Sequence, residues 1–275
     1  MHLLFTKMTG AGNDFIVIDD RKNKIASPQK LSRKLCDRRW GIGADGLILL
    51  RRSKNAAYEM MYYNADGSYG GMCGNGGRCI AYFAILNGIA KKTHVFESVG
   101  YLYEAKKKTG NSILLKMKNP ADLRLERSIT IDGKTIKYHS IDTGAPHVVI
   151  EADALGQDLQ DIDVNRFGAF LRHHSDFNPA GTNVNIIKKL GNNSIQIRTY
   201  ERGVEAETLA CGTGSVAAAI ISSFVMRTIS PVTVQVQSKI DLQVDFRKDA
   251  DKVSDVYLTG PAAIVFTGMI DVSVS

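Results

Sequence analysis

A chain of 275 residues, 44% hydrophobic and 23% charged, can bury one large core or two ordinary ones, and it excludes collagen, coiled coil and extensive disorder. Its formal charge of +7 is dispersed, and the clusters Lys106-Lys107-Lys108 and Arg38-Arg39 lack interleaved aromatics, so the charge speaks for solubility and against a nucleic-acid partner. No run approaches the roughly 18 apolar residues of a membrane span, and Met1 to Lys7 is too short for a signal peptide, so the expected setting is the cytoplasm, off the membrane.

In chain order, the first strong signal is a helix. Cys73-Gly74-Asn75-Gly76-Gly77-Arg78-Cys79 leads into Ile80 to Leu86, and Asn87-Gly88 supplies a stop. The run is apolar nearly all round, which predicts a helix buried inside its domain. A domain boundary is expected near Asn119-Pro120. Beyond it, Ile129-Thr130-Ile131 and Thr135-Ile136 flank Asp132-Gly133, a hairpin signal. A second hairpin is expected at Gly191-Asn192-Asn193, joining 184–187 to 195–199. Cys211-Gly212-Thr213-Gly214-Ser215 then opens another all-round apolar helix, through Ile221. The runs 232–236 and 242–246 alternate apolar with polar as half-buried strands do. The chain is therefore strand-rich, and the two C-G-x-G helix starts suggest an internal duplication in which each half wraps sheet around one central helix.

The four cysteines, Cys36, Cys73, Cys79 and Cys211, are too few and too scattered for a disulfide scaffold, and no C-x-x-C or H-x-x-x-H pairing points to zinc. Cys73 and Cys211 differ from the other two in their setting. A cysteine at the mouth of a helix sits in the field of unpaired N–H groups and the macrodipole, which favours thiolate and makes the sulfur a usable base near neutral pH. The glycines that follow let a ligand approach the backbone, so the same amides suit a carboxylate. Cys36 and Cys79 have no such context and read as small buried residues. Polar clusters precede both sites, Asn64-Ala65-Asp66-Gly67-Ser68 and Glu201-Arg202-Gly203, where turn chemistry alone is the plainer account.

Taken together these runs resemble the signatures of the diaminopimelate epimerase family. They are Lys7-Met8-Thr9-Gly10-Ala11-Gly12-Asn13-Asp14-Phe15, Gly41 to Gly46, Asn64 to Ser68 before Met72-Cys73-Gly74-Asn75-Gly76, Gly181-Thr182-Asn183-Val184-Asn185, Glu201-Arg202-Gly203 before Glu207 to Gly214, and Thr259-Gly260-Pro261-Ala262. They stand in family order over essentially the whole chain. The resemblance implies an α/β chain of α+β type with two pseudo-symmetric domains, each a curved, mostly antiparallel sheet around a central buried helix, and a site in the cleft between them. The expected domains are 1–118, joined by a returning strand 264–275, and 119–263. By the same resemblance Cys73 and Cys211 face opposite sides of the substrate α-carbon. Asn13, Asn64, Asn183, Glu201 and Arg202 would hold the distal amino-acid end, Gly74, Asn75, Gly212 and Thr213 the reacting carboxylate, and His147, near the first cysteine, and Glu201 would support the chemistry. Ala145, Gly46 and Thr9 depart from residues common in the family, which touches the distal contacts more than the chemistry.

The implied reaction is epimerisation of LL-2,6-diaminopimelate to the meso form, serving lysine and peptidoglycan precursor synthesis, with no cofactor or metal and with a homodimer as the expected assembly. Inverting a stereocentre without a cofactor takes two opposed acid/base groups, one sulfur resting as thiolate and the other as thiol. A proline or hydroxyproline racemase of the same fold is the enzymatic alternative. It usually shows His after the first C-G and lacks the upstream Glu-Arg, whereas this chain has Asn75 and Glu201-Arg202. A non-catalytic binding protein on the scaffold would be expected to have lost a thiol, and both are present.

Overall fold

Ala11 and Gly12, both at positive φ (58° and 104°), turn strand β1 (His2–Gly10) directly back into β2 (Asn13–Asp19), pairing Gly10 with Asn13. The computed structural model describes residues 2–131 and 133–271. From β2 the chain passes through helix α1 (Pro28–Cys36) into β3 (Gly46–Arg51), parallel to β2, and then antiparallel into β4 (Glu59–Asn64). Helix α2 (Gly74–Leu86) connects β4 to the parallel β5 (Thr93–Ser98), followed by antiparallel β6 (Tyr101–Lys107) and β7 (Ser112–Lys116). The chain divides into two compact units, one of residues 1–116 with 259–275 and one of 117–258.

The second unit repeats the plan. Strands β8 (Ala121–Ile131), β9 (Lys134–Asp142) and β10 (Pro146–Glu151) run antiparallel in turn, and helix α3 (Val164–Arg172) leads to β11 (Asn183–Gly191), parallel to β10. Next come β12 (Ser194–Glu201), the short β13 (Ala206–Thr208), helix α4 (Gly212–Val225), and β14 (Val232–Gln235), parallel to β12. The last strands are β15 (Asp241–Asp249), β16 (Lys252–Pro261) and β17 (Ala263–Asp271). β17 pairs with β1, so the first unit is closed by the far end of the chain. Counted from β17 against β1, neighbouring strands run antiparallel, antiparallel, parallel, antiparallel, parallel, antiparallel. From β8 against β9 the second unit gives the same six senses.

Side-chain alternation explains why each sheet takes a helix on either face. Leu47, Ile48, Leu49 and Leu50 of β3 are all wholly buried, as a strand covered on both faces must be. Leu47 and Leu49 join Leu31 and Leu35 of α1, spaced i and i+4 on its inner side, together with Ile16 and Ile18 of β2. Ile48 points the other way, toward α2, where a Cβ on Gly76 would stand 3.0 Å from its Cδ1. In the second unit Val184 and Ile186 of β11 join Val164 and Leu171 of α3, while Asn185 between them meets α4. Helix α2 touches β1, β2, β3, β4, β6 and β7, and α4 touches β9, β10, β11, β12, β14 and β15, so each sheet curls around its apolar helix.

The hairpin expected around Asp132-Gly133 is formed, with Ile129 opposite Ile136, although Asp132 itself lies outside the described residues. So do residues 272–275 of the expected returning strand. The second hairpin pairs Gly191 with Ser194 after a bulge. Among the described residues no helix is long and apolar enough to cross a membrane.

Candidate active site

Cys73 is the residue before the first turn of α2. Its backbone is extended (φ −112°, ψ 120°) and its Sγ accepts the Gly76 amide at 3.4 Å, so the thiol stands where a capping hydroxyl would. Cys211 holds the same place before α4 with nearly the same backbone (φ −115°, ψ 116°). Its sulfur makes no bond to the helix amides and lies 3.6 Å from Thr213 Oγ1. Cys73 is half-buried and Cys211 buried. In both, the first turn of a buried helix supplies amides with no partner inside the helix, a ready seat for a carboxylate.

Around Cys73 the first unit gathers Asn75, Asn13 and Asn64. The Asn75 amide donates to Asn13 Oδ1 at 2.6 Å and Asn13 Nδ2 donates to Asp45 Oδ2 at 3.1 Å. Asn75 is 2% exposed, so what it offers at the helix mouth is its backbone. Asn64 closes β4 opposite Gly46, and its Nδ2 donates to Ser68 Oγ at 2.9 Å. Behind Asn13 lies an ion cluster. Arg38 spans both oxygens of Asp14 (3.0 and 2.9 Å) and reaches Asp45 (2.8 Å), while the buried Lys7 binds Asp14 at 2.8 Å and donates to the Gly43 carbonyl. Burial pushes the Asp14 carboxyl up, but the hydrogen bonds from Arg38 and Lys7 outweigh it and hold it at about 2.

In the second unit His147 and Asn183 are direct neighbours across parallel strands β10 and β11. The Asn183 side chain holds the backbone with one of its two donors and its oxygen: Nδ2 donates to Pro146 O (2.9 Å) and Oδ1 accepts the Arg202 amide (2.9 Å), which fixes the start of the Glu201-Arg202-Gly203 turn. Arg202 Nη1 donates to Ala180 O at 3.1 Å, and Glu201 Oε2 accepts from Thr208 Oγ1 at 3.1 Å. Thr143 Oγ1 donates to Thr213 O at 2.9 Å, tying the loop before β10 to the α4 start.

His147 is buried, and burial, with the Arg202 charge in second place, pushes its imidazole down to about 3. Asn185 donates Nδ2 to His147 Nδ1 (3.2 Å) and to Val148 O (2.8 Å), and accepts Thr199 Oγ1 at its Oδ1 (3.0 Å). An Nδ1 that accepts requires the proton on Nε2, so the ring is a neutral donor. Nε2 is buried with no partner among the described residues.

Three residues of this arrangement were not singled out by sequence reasoning: Asn185, Asp45 and Arg78. Asn185 and Asp45 sit inside motifs that were read for other members. Arg78 had a visible signal, a single charge on an otherwise apolar helix. Its guanidinium, wholly buried, donates to Asn75 Oδ1 at 2.8 Å and to Gly74 O at 3.3 Å. The remaining cysteines are buried. Burial pushes the Cys36 thiol up to about 11, against a bond from Ser32, and the Cys79 thiol up to about 12, so both stay protonated at neutral pH. Among the described residues no cluster of His, Cys, Asp or Glu has the arrangement of a metal site.

Solved structures at 14% identity share this fold. A Bacillus anthracis phenazine biosynthesis protein of the PhzF family matches with a TM-score of 0.74, covering 99% of this chain and 100% of its own. A hydroxyproline epimerase from Agrobacterium vitis, with bound trans-4-hydroxy-L-proline, matches at 0.73, covering 98% and 92%. At the sequence level the diaminopimelate epimerase of Chlorobaculum tepidum is 44% identical over 266 residues, spanning 96% of this chain and 99% of that protein. The diaminopimelate epimerase of Aquifex aeolicus is 37% identical over 278 residues, spanning 97% of each. The family model for diaminopimelate epimerase matches residues 5–120 and 139–265, and with both cysteine-capped helices inside that match, the chain belongs to the diaminopimelate epimerase family.

Proposed function

We infer that this chain is a diaminopimelate epimerase, an isomerase that interconverts LL- and meso-2,6-diaminopimelate with Cys73 and Cys211 as its acid/base pair. The observation that carries the reading is the repeat itself: each unit starts one buried apolar helix with a cysteine and two glycines, at the same step of the same strand order. One sulfur as thiolate removes the α-proton while the other as thiol delivers a proton to the opposite face, and their roles exchange with the handedness of the substrate. Negative charge building on the α-carboxylate is met by the amides of Gly74, Asn75, Gly212 and Thr213 and by the two helix dipoles.

The distal amino-acid end falls to Asn13, Asn64, Asn183, Glu201 and Arg202, with Arg202 on the carboxylate, since its guanidinium spends one donor on Ala180 O. His147, neutral and with its Nε2–H turned to no protein partner, is a hydrogen-bond donor and not a base in this scheme. We place the enzyme in lysine and peptidoglycan precursor synthesis, as a cytoplasmic homodimer that uses no pyridoxal phosphate or metal. Incubating the chain with LL-2,6-diaminopimelate in deuterated water tests the reading. Meso product carrying α-deuterium, formed equally with and without chelator, is expected; failure to form it, or dependence on added pyridoxal phosphate, overturns it.

A further inference from the structure

Arg78 heads the largest side chains that are wholly buried among the described residues, and it carries a permanent charge. It stands four residues beyond Gly74 on α2. Helical side chains lean toward the N-terminus, so its guanidinium comes back to the first turn, beside the cysteine. Its three hydrogen bonds go to neutral acceptors: Asn75 Oδ1 at 2.8 Å, Gly74 O at 3.3 Å and, from Nε, Pro261 O at 3.5 Å. It pairs with no carboxylate among the described residues. A buried cation without an anion is costly, and an apolar side chain of similar volume would stabilise this helix core better unless the charge has a use.

Among the described residues, the groups able to become negative that act on its charge are the thiols of Cys79 and Cys73. Cys79 is wholly buried and stays protonated. Cys73 is half-buried at the helix mouth, with the Gly76 amide already donating to its sulfur. The titratable side chains that turn to α2 from the strands packed on it are Tyr62 on β4 and Tyr103 on β6, whereas Tyr63 and Lys7, the latter in step with Leu3 and Phe5, turn to the α1 side. Asp14, half-buried on β2, and Lys7 hold one another, and phenols are neutral near pH 7.

We propose that Arg78 is the built-in countercharge of the Cys73 thiolate, a positioning residue through which Cys73 carries the resting negative charge before substrate arrives. The proposal rests on the two-thiol reading for its use in catalysis, but its test needs no turnover. The rate of iodoacetamide alkylation is followed against pH on substrate-free protein, with peptide mapping to separate Cys73 from Cys211. In the wild type, Cys73 should titrate at least one unit below the ordinary thiol value of about 8.5. Arg78→Gln should move that midpoint up by a unit or more, slowing Cys73 alkylation about tenfold at pH 7, while the Cys211 profile holds still. Arg78→Lys should recover part of the shift.

Wild-type Cys73 titrating at or above 8.5 overturns the proposal without recourse to a variant that might misfold. So does a folded Arg78→Gln whose Cys73 profile superimposes on wild type, or one in which both cysteines shift alike. If the Cys73 shift depends on Arg78 but diaminopimelate is not epimerised, the electrostatic role stands and the substrate reading falls; turnover with an unshifted thiol separates them the other way.

Discussion

Cys73 and Cys211 share a backbone position but not a chemical setting, since the first sulfur accepts an amide while the second faces a threonine hydroxyl. A serine at either place fits the same backbone, and at 73 can keep the cap, but loses the acidity that proton transfer needs. Cys73→Ser and Cys211→Ser should each lower kcat/KM for epimerisation by about 10³-fold or more, in line with losing a general acid or base. Each should still exchange the α-proton of one isomer, seen as deuterium uptake without inversion; inversion at near wild-type rate in either variant would remove that sulfur from the scheme. His147 yields a pH prediction. Its folded value of about 3 lies below the ordinary 6.5, so between those limits the unfolded chain binds the extra proton. The stability held by the neutral ring is full above about 6.5 and is lost as pH falls toward 3, by up to a few kcal/mol. Comparing denaturant unfolding at pH 7 and pH 5 in wild type and His147→Gln checks this, and equal losses in both would mean that other groups dominate.

The two apolar helices were legible because C-G-x-G followed by an apolar run is a local pattern, and both begin where that pattern places them. Helices α1 and α3 were not. Each has nine residues with polar outer positions, and only Pro28 and the Leu31/Leu35 spacing of α1 mark it locally. Arg78 shows the same limit, since local sequence displays a charge on an apolar helix but not where a long side chain folds back. Gly214 is a case where element packing sets the residue. A Cβ there would stand 2.5 Å from Asn185 Oδ1 and 3.3 Å from Cys211 Sγ. Asn185 cannot yield without breaking bonds to His147, Val148 and Thr199. Gly214→Ala should cost about 1–3 kcal/mol of stability by overpacking, measured by denaturant unfolding, and should depress activity along with it. An unchanged midpoint would show that the first turn of α4 has more slack than this geometry allows.

Strand-forming runs can be read from alternation, but partners far apart in the chain cannot, because a hydrogen-bond ladder leaves no local trace of its mate. The pairing of β1 with β17, joining His2 to Asp271, shows it: alternation does not display it, and only the family resemblance pointed to a returning strand. Leu3 and Phe5 of β1 are buried, and the Phe5 ring lies against Phe266 and under Gly268. Removing residues from 263 onward should therefore weaken the unit at the other end of the sequence, by roughly 2–5 kcal/mol for the cover lost from two large apolar side chains. Hydrogen exchange resolves where the damage falls: the amides of 2–10 should lose protection while those of β10 and β11 keep theirs, and protection retained along β1 would contradict the argument. The same stitching sets an order of events during synthesis. The unit of 117–258 is contiguous and has all its strands once residue 258 clears the ribosome, whereas the unit begun first still lacks β17. At about 5–20 residues per second, its β1 edge stays bare for on the order of ten seconds after residue 116 is made. For that interval the nascent chain offers an open ladder to chaperones and to neighbouring copies, so what is translated first is finished last.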